Sequence, residues 1–173
     1  MIESYFELGG VSIPAEAHHG LSQDYEILRA VSRVRMSDGT LKQQQAWGGK
    51  LKTTIQGKGW LPAALDGIDY SQPLLLKCGQ GQAISSASNA IALPSARRSD
   101  AFHAPTGYAI VSGKHVSTGL SVLADTATLD VVSGATQYGV VYYPEITVYA
   151  DPPETSGDLV TGDYSWSLTA EEI

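Results

Sequence analysis

The stretch Leu28-Arg29-Ala30-Val31-Ser32-Arg33-Val34-Arg35-Met36, followed by Ser37-Asp38-Gly39-Thr40, decides the class of fold. Leu28, Ala30, Ser32, Val34 and Met36 recur at every second position, with Arg29, Val31, Arg33 and Arg35 between them. A period of two places alternate side chains on opposite faces, so the run reads as a half-buried strand with a basic outer face. Asp38-Gly39 then supplies the residues a tight hairpin needs, because glycine takes a positive φ without a Cβ clash.

Working outward, Leu41 to Trp47 is the return strand. After Gly48-Gly49 a new alternation sets Lys50, Lys52, Thr54, Gln56 and Lys58 against Leu51, Thr53 and Ile55, which predicts a three-stranded meander. Gly57 and Gly59 mark a bulge or a close backbone approach that gives Trp60 room to turn inward. Pro62 to Asp69, with proline in its first turn and Leu65 and Ile68 three apart, is the one short helix candidate. Pro73 to Cys78 resumes as a strand, and its Leu74-Leu75-Leu76 run predicts a buried thiol at Cys78.

Residues 79–106 are dense in Gly, Ser, Ala, Gln and Asn and read as an extended loop or arm with Arg97-Arg98 as its charged tip. Beyond it, Tyr108–Ser112, Lys114–Ser117, Leu120–Leu123 and Ala127–Val132 are strand-like runs separated by turn residues. Gln137–Tyr143 and Glu145–Tyr149 flank Pro144, which must sit at an edge or bend because it donates no ladder hydrogen bond. Asp158 to Asp163 is a turn, and Tyr164, Trp166 and Leu168 alternate in a last strand. The whole predicts a mainly β chain: a single domain over 1–173, an antiparallel β-sandwich or barrel-like fold with one short helix and a long arm.

Composition narrows the function. Hydrophobic residues make up 43% of the 173 and charged residues 17%, which suits a globular core. No run approaches the ~20 apolar residues of a membrane span, and Glu3 and Glu7 stand where a secretory leader would carry Lys or Arg, so the expectation is a protein made in the cytoplasm without membrane insertion. A single cysteine forms neither an internal disulfide nor a thiolate cluster.

The net charge of −7 is split along the chain. Residues 1–114 carry all eleven Lys and Arg with nine carboxylates, and residues 115–173 carry nine carboxylates with no Lys or Arg. Arg29, Arg33, Arg35, Arg97 and Arg98 of one copy are thus candidates to meet Glu145, Asp151 and Glu154 of the next, fixing register and steering association.

Patterns for chemistry are missing. Lys58 lacks the glycine and the Ser or Thr of a phosphate-binding loop, and Gly79-Gln80-Gly81 lacks the rest of a dinucleotide fingerprint. His18 and His19 are adjacent and on a strand would face opposite ways, and His103 and His115 stand apart from them. No nucleophile elbow or carboxylate pair suggests catalysis, so no catalytic residue, cofactor or metal ligand is expected.

Two stretches carry a resemblance. One is Ser37-Asp38-Gly39-Thr40-Leu41-Lys42-Gln43-Gln44-Gln45-Ala46-Trp47, leading through Lys50 to Pro62 and on to Leu65-Asp66-Gly67-Ile68-Asp69-Tyr70. The other is Tyr143-Pro144-Glu145-Ile146-Thr147-Val148-Tyr149-Ala150 with the closing Trp166 to Glu172. Both resemble small structural proteins encoded among the tail and baseplate genes of long-tailed bacteriophages. The resemblance implies a virion component of the tail tube or the distal tail and baseplate, forming a homo-oligomeric ring, commonly a hexamer. Its partners would be sister copies and other tail or baseplate proteins, with DNA only in transit past an acidic wall. The alternatives are a receptor- or carbohydrate-binding module at the tail tip, suggested by Trp47, Trp60, Trp166 and nine Tyr, and a head decoration or connector protein. Two tryptophans exposed in one cleft would favour the sugar-binding module, and burial of all three would favour the architectural reading.

Overall fold

A computed structural model of the protein describes residues 5–173; Glu3 lies outside them. The chain runs through β1 (Glu7–Leu8), β2 (Val11–Ser12), a 3-10 turn at Ala15–Ala17, β3 (His19–Arg35), β4 (Leu41–Gly59) and β5 (Leu74–Lys77). It continues through β6 (Gln82–Ser86), β7 (Ala90–Ala92), β8 (Thr106–Val111), β9 (Lys114–Thr118) and β10 (Leu120–Leu123). Then come β11 (Thr126–Leu129), β12 (Ala135–Tyr142), β13 (Glu145–Ala150), β14 (Glu154–Gly157) and β15 (Tyr164–Glu172). The fold is mainly β and its assigned strand pairs are antiparallel.

The chain forms two compact units, residues 5–7 with 76–146 and residues 8–75 with 147–173. The chain passes from one to the other inside β1, β5 and β13.

In the unit of residues 76–146, β6-β12-β8-β9 form one sheet and β10-β11-β7 another. Ile91, Leu93, Ala127 and Leu129 from the smaller sheet and its flanks meet Ala109, Tyr138, Val140 and Tyr142 from the larger in one buried cluster. Two sheets sharing a single core are a small sandwich, and no barrel closes. Residues 79–106 are therefore not the expected arm. Small polar residues misled the reading there, because β6 pairs along β12 from Ser86↔Tyr138 to Gln82↔Tyr142, and β7 pairs with β11. Ile91 and Leu93 anchor the segment in the core.

In the other unit, β13-β15-β4-β3 form a sheet and β14 lies beside β15. Trp166, Leu168 and Ala170 on β15 face inward opposite Gly57, Ile55 and Thr53 on β4, and all six are buried. Gln23 Nε2 donates to Thr53 Oγ1 at 3.0 Å and Thr53 Oγ1 donates to the Asp24 carbonyl at 2.8 Å, so the buried polar pair is satisfied. Pro62 to Asp69 makes turns and not the predicted helix. Ala64 sits at φ 60, which a right-handed helix cannot contain, and Tyr70 Oη donates to the Leu65 carbonyl across the turn. The one helical turn among the described residues is at Ala15–Ala17.

The predicted meander is a two-stranded structure. Gly48-Gly49 does not reverse the chain, and Leu41 to Gly59 is one strand of 19 residues paired along β3. Arg29 pairs with Gly48 while Leu28 pairs with Lys50, and Ala30 pairs with Trp47 while Val31 pairs with Gln45. Gly49 and Ala46 are therefore extra residues, bulges that keep the strand running, and Gly49 takes φ 80 to do so.

Each unit carries an aromatic ring laid close over a strand glycine. A Cβ added at Gly57 would stand 2.6 Å from Trp166 Cζ2, and one at Gly139 would stand 2.2 Å from Tyr108 Cζ, each across its own β-pair. Trp166 Nε1 also donates to the Ala17 carbonyl at 2.8 Å, tying the 3-10 turn to the sheet. The indole expected at Gly57 is thus that of Trp166, while Trp60 points to solvent. Truncating Trp166 to Ala removes both the packing and the hydrogen bond and is expected to cost about 3–5 kcal/mol of stability. Gly57→Ala is expected to destabilise as well, by displacing the ring. Urea titrations of the two variants against the parent test this, and an unchanged midpoint for either would refute the assignment.

Candidate functional site

Beyond the body of its unit, the β3–β4 pair loses its third strand. The β15 ladder on β4 ends at Glu171↔Lys52, and from Ile27↔Leu51 to Arg35↔Leu41 only β3 and β4 pair with one another. Nine residues of strand at ~3.3 Å each give a ribbon of about 30 Å. Every residue from 32 to 47 is exposed, so the strand predicted as half-buried has both faces in solvent within this chain.

The alternation read from the sequence survives in the ribbon. Pairing places Leu28, Ala30, Val34, Met36 and Trp47 on one face, and Arg29, Arg33, Arg35 and Leu41 on the other. Val34, Met36, Leu41 and Trp47 are among the exposed large apolar side chains. The tip is held locally. Asp38 Oδ1 accepts the Thr40 N–H at 2.9 Å, which holds its carboxyl below the usual range, and Gly39 supplies φ 82. Arg35 Nη1 donates to the Gly39 carbonyl at 3.1 Å and Arg33 Nε to Gln43 Oε1 at 2.8 Å. The base is held by the C-terminal strand, where Glu172 Oε2 accepts the Leu51 N–H at 2.8 Å and Glu171 pairs with Lys52 at 3.0 Å.

A second surface lies in the same unit. An open cleft of about 900 Å³ is lined by His19, Lys58, Trp60, Asp158, Leu159 and Tyr164 among others. Trp60 is 64% exposed and tilts against His19 with ring centroids 5.0 Å apart. The β14–β15 turn forms one rim and is tightly bonded: Asp158 N–H to the Asp163 carbonyl and Gly162 N–H to the Asp158 carbonyl, both 2.8 Å. Asp158 Oδ1 accepts the Val160 and Thr161 N–H groups, which lowers its pKa. At the turn's tip Leu159 and Val160 are 99% and 95% exposed.

Of the residues expected to mediate assembly, Arg29, Arg33 and Arg35 lie on the ribbon and Glu154 lies exposed on β14. Asp151 is also exposed, and Glu145 opens β13 half-buried. Arg97 and Arg98 are not the tip of an arm. Arg97 clamps the β10–β11 turn, with Nη2 on the Ala124 carbonyl at 2.7 Å and Nη1 on Asp125 Oδ1 at 2.8 Å.

Arg98 is buried and makes a two-point pair with Asp100, Nε to Oδ1 at 2.8 Å and Nη2 to Oδ2 at 3.0 Å. Its Nη1 donates to the Cys78 and Tyr5 carbonyls. Asp100 Oδ2 also meets His103 Nδ1 at 2.6 Å, and the buried His103 ring stands edge-on to Tyr143. An Asp–His contact is half of a catalytic relay, but here the aspartate faces a guanidinium and the imidazole faces a phenol ring. The cluster crosslinks backbone segments, a role the sequence could not reveal because its members bond to main-chain carbonyls.

Of the tryptophans, Trp166 is buried, Trp47 rides on the ribbon and Trp60 stands in the cleft. Neither condition set for the sugar-binding or architectural reading is met. Among the described residues no three His, Cys, Asp or Glu side chains converge as metal ligands, and no helix is long and apolar enough to cross a membrane. Comparison with models of known protein families, with curated proteins and with solved structures returns no match for this chain.

The Arg98 hydrogen bonds, with a smaller pull from His103, hold Asp100 down at about 2 against an ordinary 3.8. A carboxyl whose pKa is lower in the folded state stabilises the fold above its unfolded value, and that stability is lost as pH falls. The loss is expected between about pH 4 and pH 2, softened by solvent because the Asp100 side chain is 41% exposed. Asp100→Asn should flatten the pH dependence of thermal unfolding in that window, and an identical slope in the variant would exclude Asp100 as its source. Arg98→Ala strands two carbonyls and Asp100 and is expected to cost about 3–5 kcal/mol by chemical denaturation.

Proposed function

We propose that the protein is architectural and not an enzyme: copies assemble with one another through the β3–β4 ribbon into a ring. The single observation that carries this reading is the ribbon itself. An isolated two-stranded hairpin is marginally stable in water, and this one sets Val34, Met36 and Trp47 on one exposed face and an arginine row on the other. Its outer edges carry unpaired N–H and C=O groups, which invite a further strand or a packed surface. A projecting element on one side of a subunit and a receiving surface elsewhere make a head-to-tail contact, which closes as a ring or propagates as a stack.

The ribbon coincides with part of the sequence that resembles tail and baseplate proteins of long-tailed bacteriophages, Ser37 to Trp47 being its tip and return strand. The reading therefore extends to a virion component of the tail tube or distal tail and baseplate. Its neighbours would be sister copies, most simply six, and other tail proteins, with DNA only passing through. Glu171 and Glu172 are already engaged with Lys52 and Lys50, so the carboxylates left for a neighbour or for a channel wall include Glu145 and those from Asp151 to Asp163.

The test is a shortened ribbon, with residues 30–47 replaced by Asn-Gly to join Arg29 to Gly48, a pair that already faces across the ladder. The full chain is expected to sediment as a concentration-dependent assembly and the shortened chain as a monomer that keeps a cooperative thermal transition. Assembly by the shortened chain, or a full chain that stays monomeric at every concentration, would refute the reading.

A further inference from the structure

Building on the assembly reading, we infer that the seat for the ribbon is the cleft beside Trp60 on a second copy of this chain, so that each joint is ribbon into cleft.

Three observations carry this. The first is charge. Residues 28–49 hold Arg29, Arg33, Arg35 and Lys42 against one carboxylate, Asp38. Asp158 and Asp163 line the cleft with Lys58, and they belong to the segment 151–163, which also holds Asp151 and Glu154 outside the lining and no Lys or Arg. The two surfaces of one chain are complementary in sign, as a self-assembling joint requires, and a chain of net charge −7 is a poor general ligand for polyanions.

The second is apolar surface. Trp60, Leu159, Val160 and Tyr164 are exposed around the cleft, and Val34, Met36 and Trp47 are exposed on one ribbon face. An aromatic anchor with aliphatic neighbours is the composition of an interface centre, and the basic row on the ribbon's other face remains at the rim. The third is preorganisation. Leu159 and Val160 are presented by a turn closed through two backbone bonds and the Asp158 carboxylate, so little ordering is left to be done on docking. Beside them β14 pairs with β15 on one edge, and its four residues are all exposed, leaving a short edge for an incoming strand.

A joint made of two different surfaces can be split between two variants. The ribbon-shortened chain keeps its cleft, and a chain carrying Trp60→Ala, Leu159→Asp and Val160→Asp keeps its ribbon; these three side chains are exposed, so the fold should be undisturbed. Each variant alone is expected to be monomeric, and an equal mixture is expected to give a heterodimer and nothing larger, because only one productive joint remains. Raising the salt concentration should weaken that heterodimer several-fold in Kd. If the cleft variant assembles like the parent, the ribbon seats elsewhere and the inference fails while the assembly reading stands. No heterodimer from two folded variants, with the parent still assembling, fails it equally. Retention of a short duplex DNA by the ribbon in place of a sister copy also overturns it. A parent that never assembles removes the assembly reading itself.

Discussion

Where the third strand ends, opposite Lys52, one sheet changes its character, and what the chain can offer to a partner depends on that boundary. On the body side, β4 is flanked by β3 and β15 and its inward residues are buried. On the far side the same strand runs on with β3 alone and no side chain from 32 to 47 is buried. Main-chain hydrogen bonding is satisfied within a hairpin only along its inner edge, so the outer edges and both faces await water or protein. The C-terminal strand sets the boundary. Glu171 and Glu172 fasten Lys52, Leu51 and Lys50, fixing the point at which the ribbon leaves the body.

Each unit solves its own packing problem in a similar way. A ring of Trp166 or Tyr108 covers a glycine on the neighbouring strand, which lets a large aromatic lie flat on the sheet without a clashing Cβ. Loops are secured by side chains that reach main-chain carbonyls. Arg97 and Arg98 do this around residues 78 to 125, and Tyr70 does it at Leu65. Such contacts crosslink backbone segments within each unit.

Much of the fold was legible because period-two alternation and turn chemistry are local signals. The hairpin at Asp38-Gly39, the strands from Thr106 to Ala150, the turn at Asp158 to Asp163 and the buried Cys78 follow from them. The failures share a cause, which is that composition stood in for partners. Gly48-Gly49 looked like a turn because bulge and turn use the same residue. Residues 79–106 looked unstructured because their strands are short, and their order comes from β12 and β11, which lie 34 or more residues away in sequence. Pro62 to Asp69 had helical spacing, but Ala64 takes a left-handed φ. The candidate site was half legible: the two faces of the ribbon could be read, while its projection could not, since alternation does not say whether anything covers a face.

In the assembly proposed for this chain, another copy completes the ribbon's bare edges and faces. Hydrogen exchange of the backbone amides in residues 28–49, compared between the assembled and dissociated protein, tests it most directly. Strong protection of those amides is expected on assembly, together with protection around Trp60 and residues 157–163. Particles that form while the ribbon amides exchange as fast as in the monomer would contradict it.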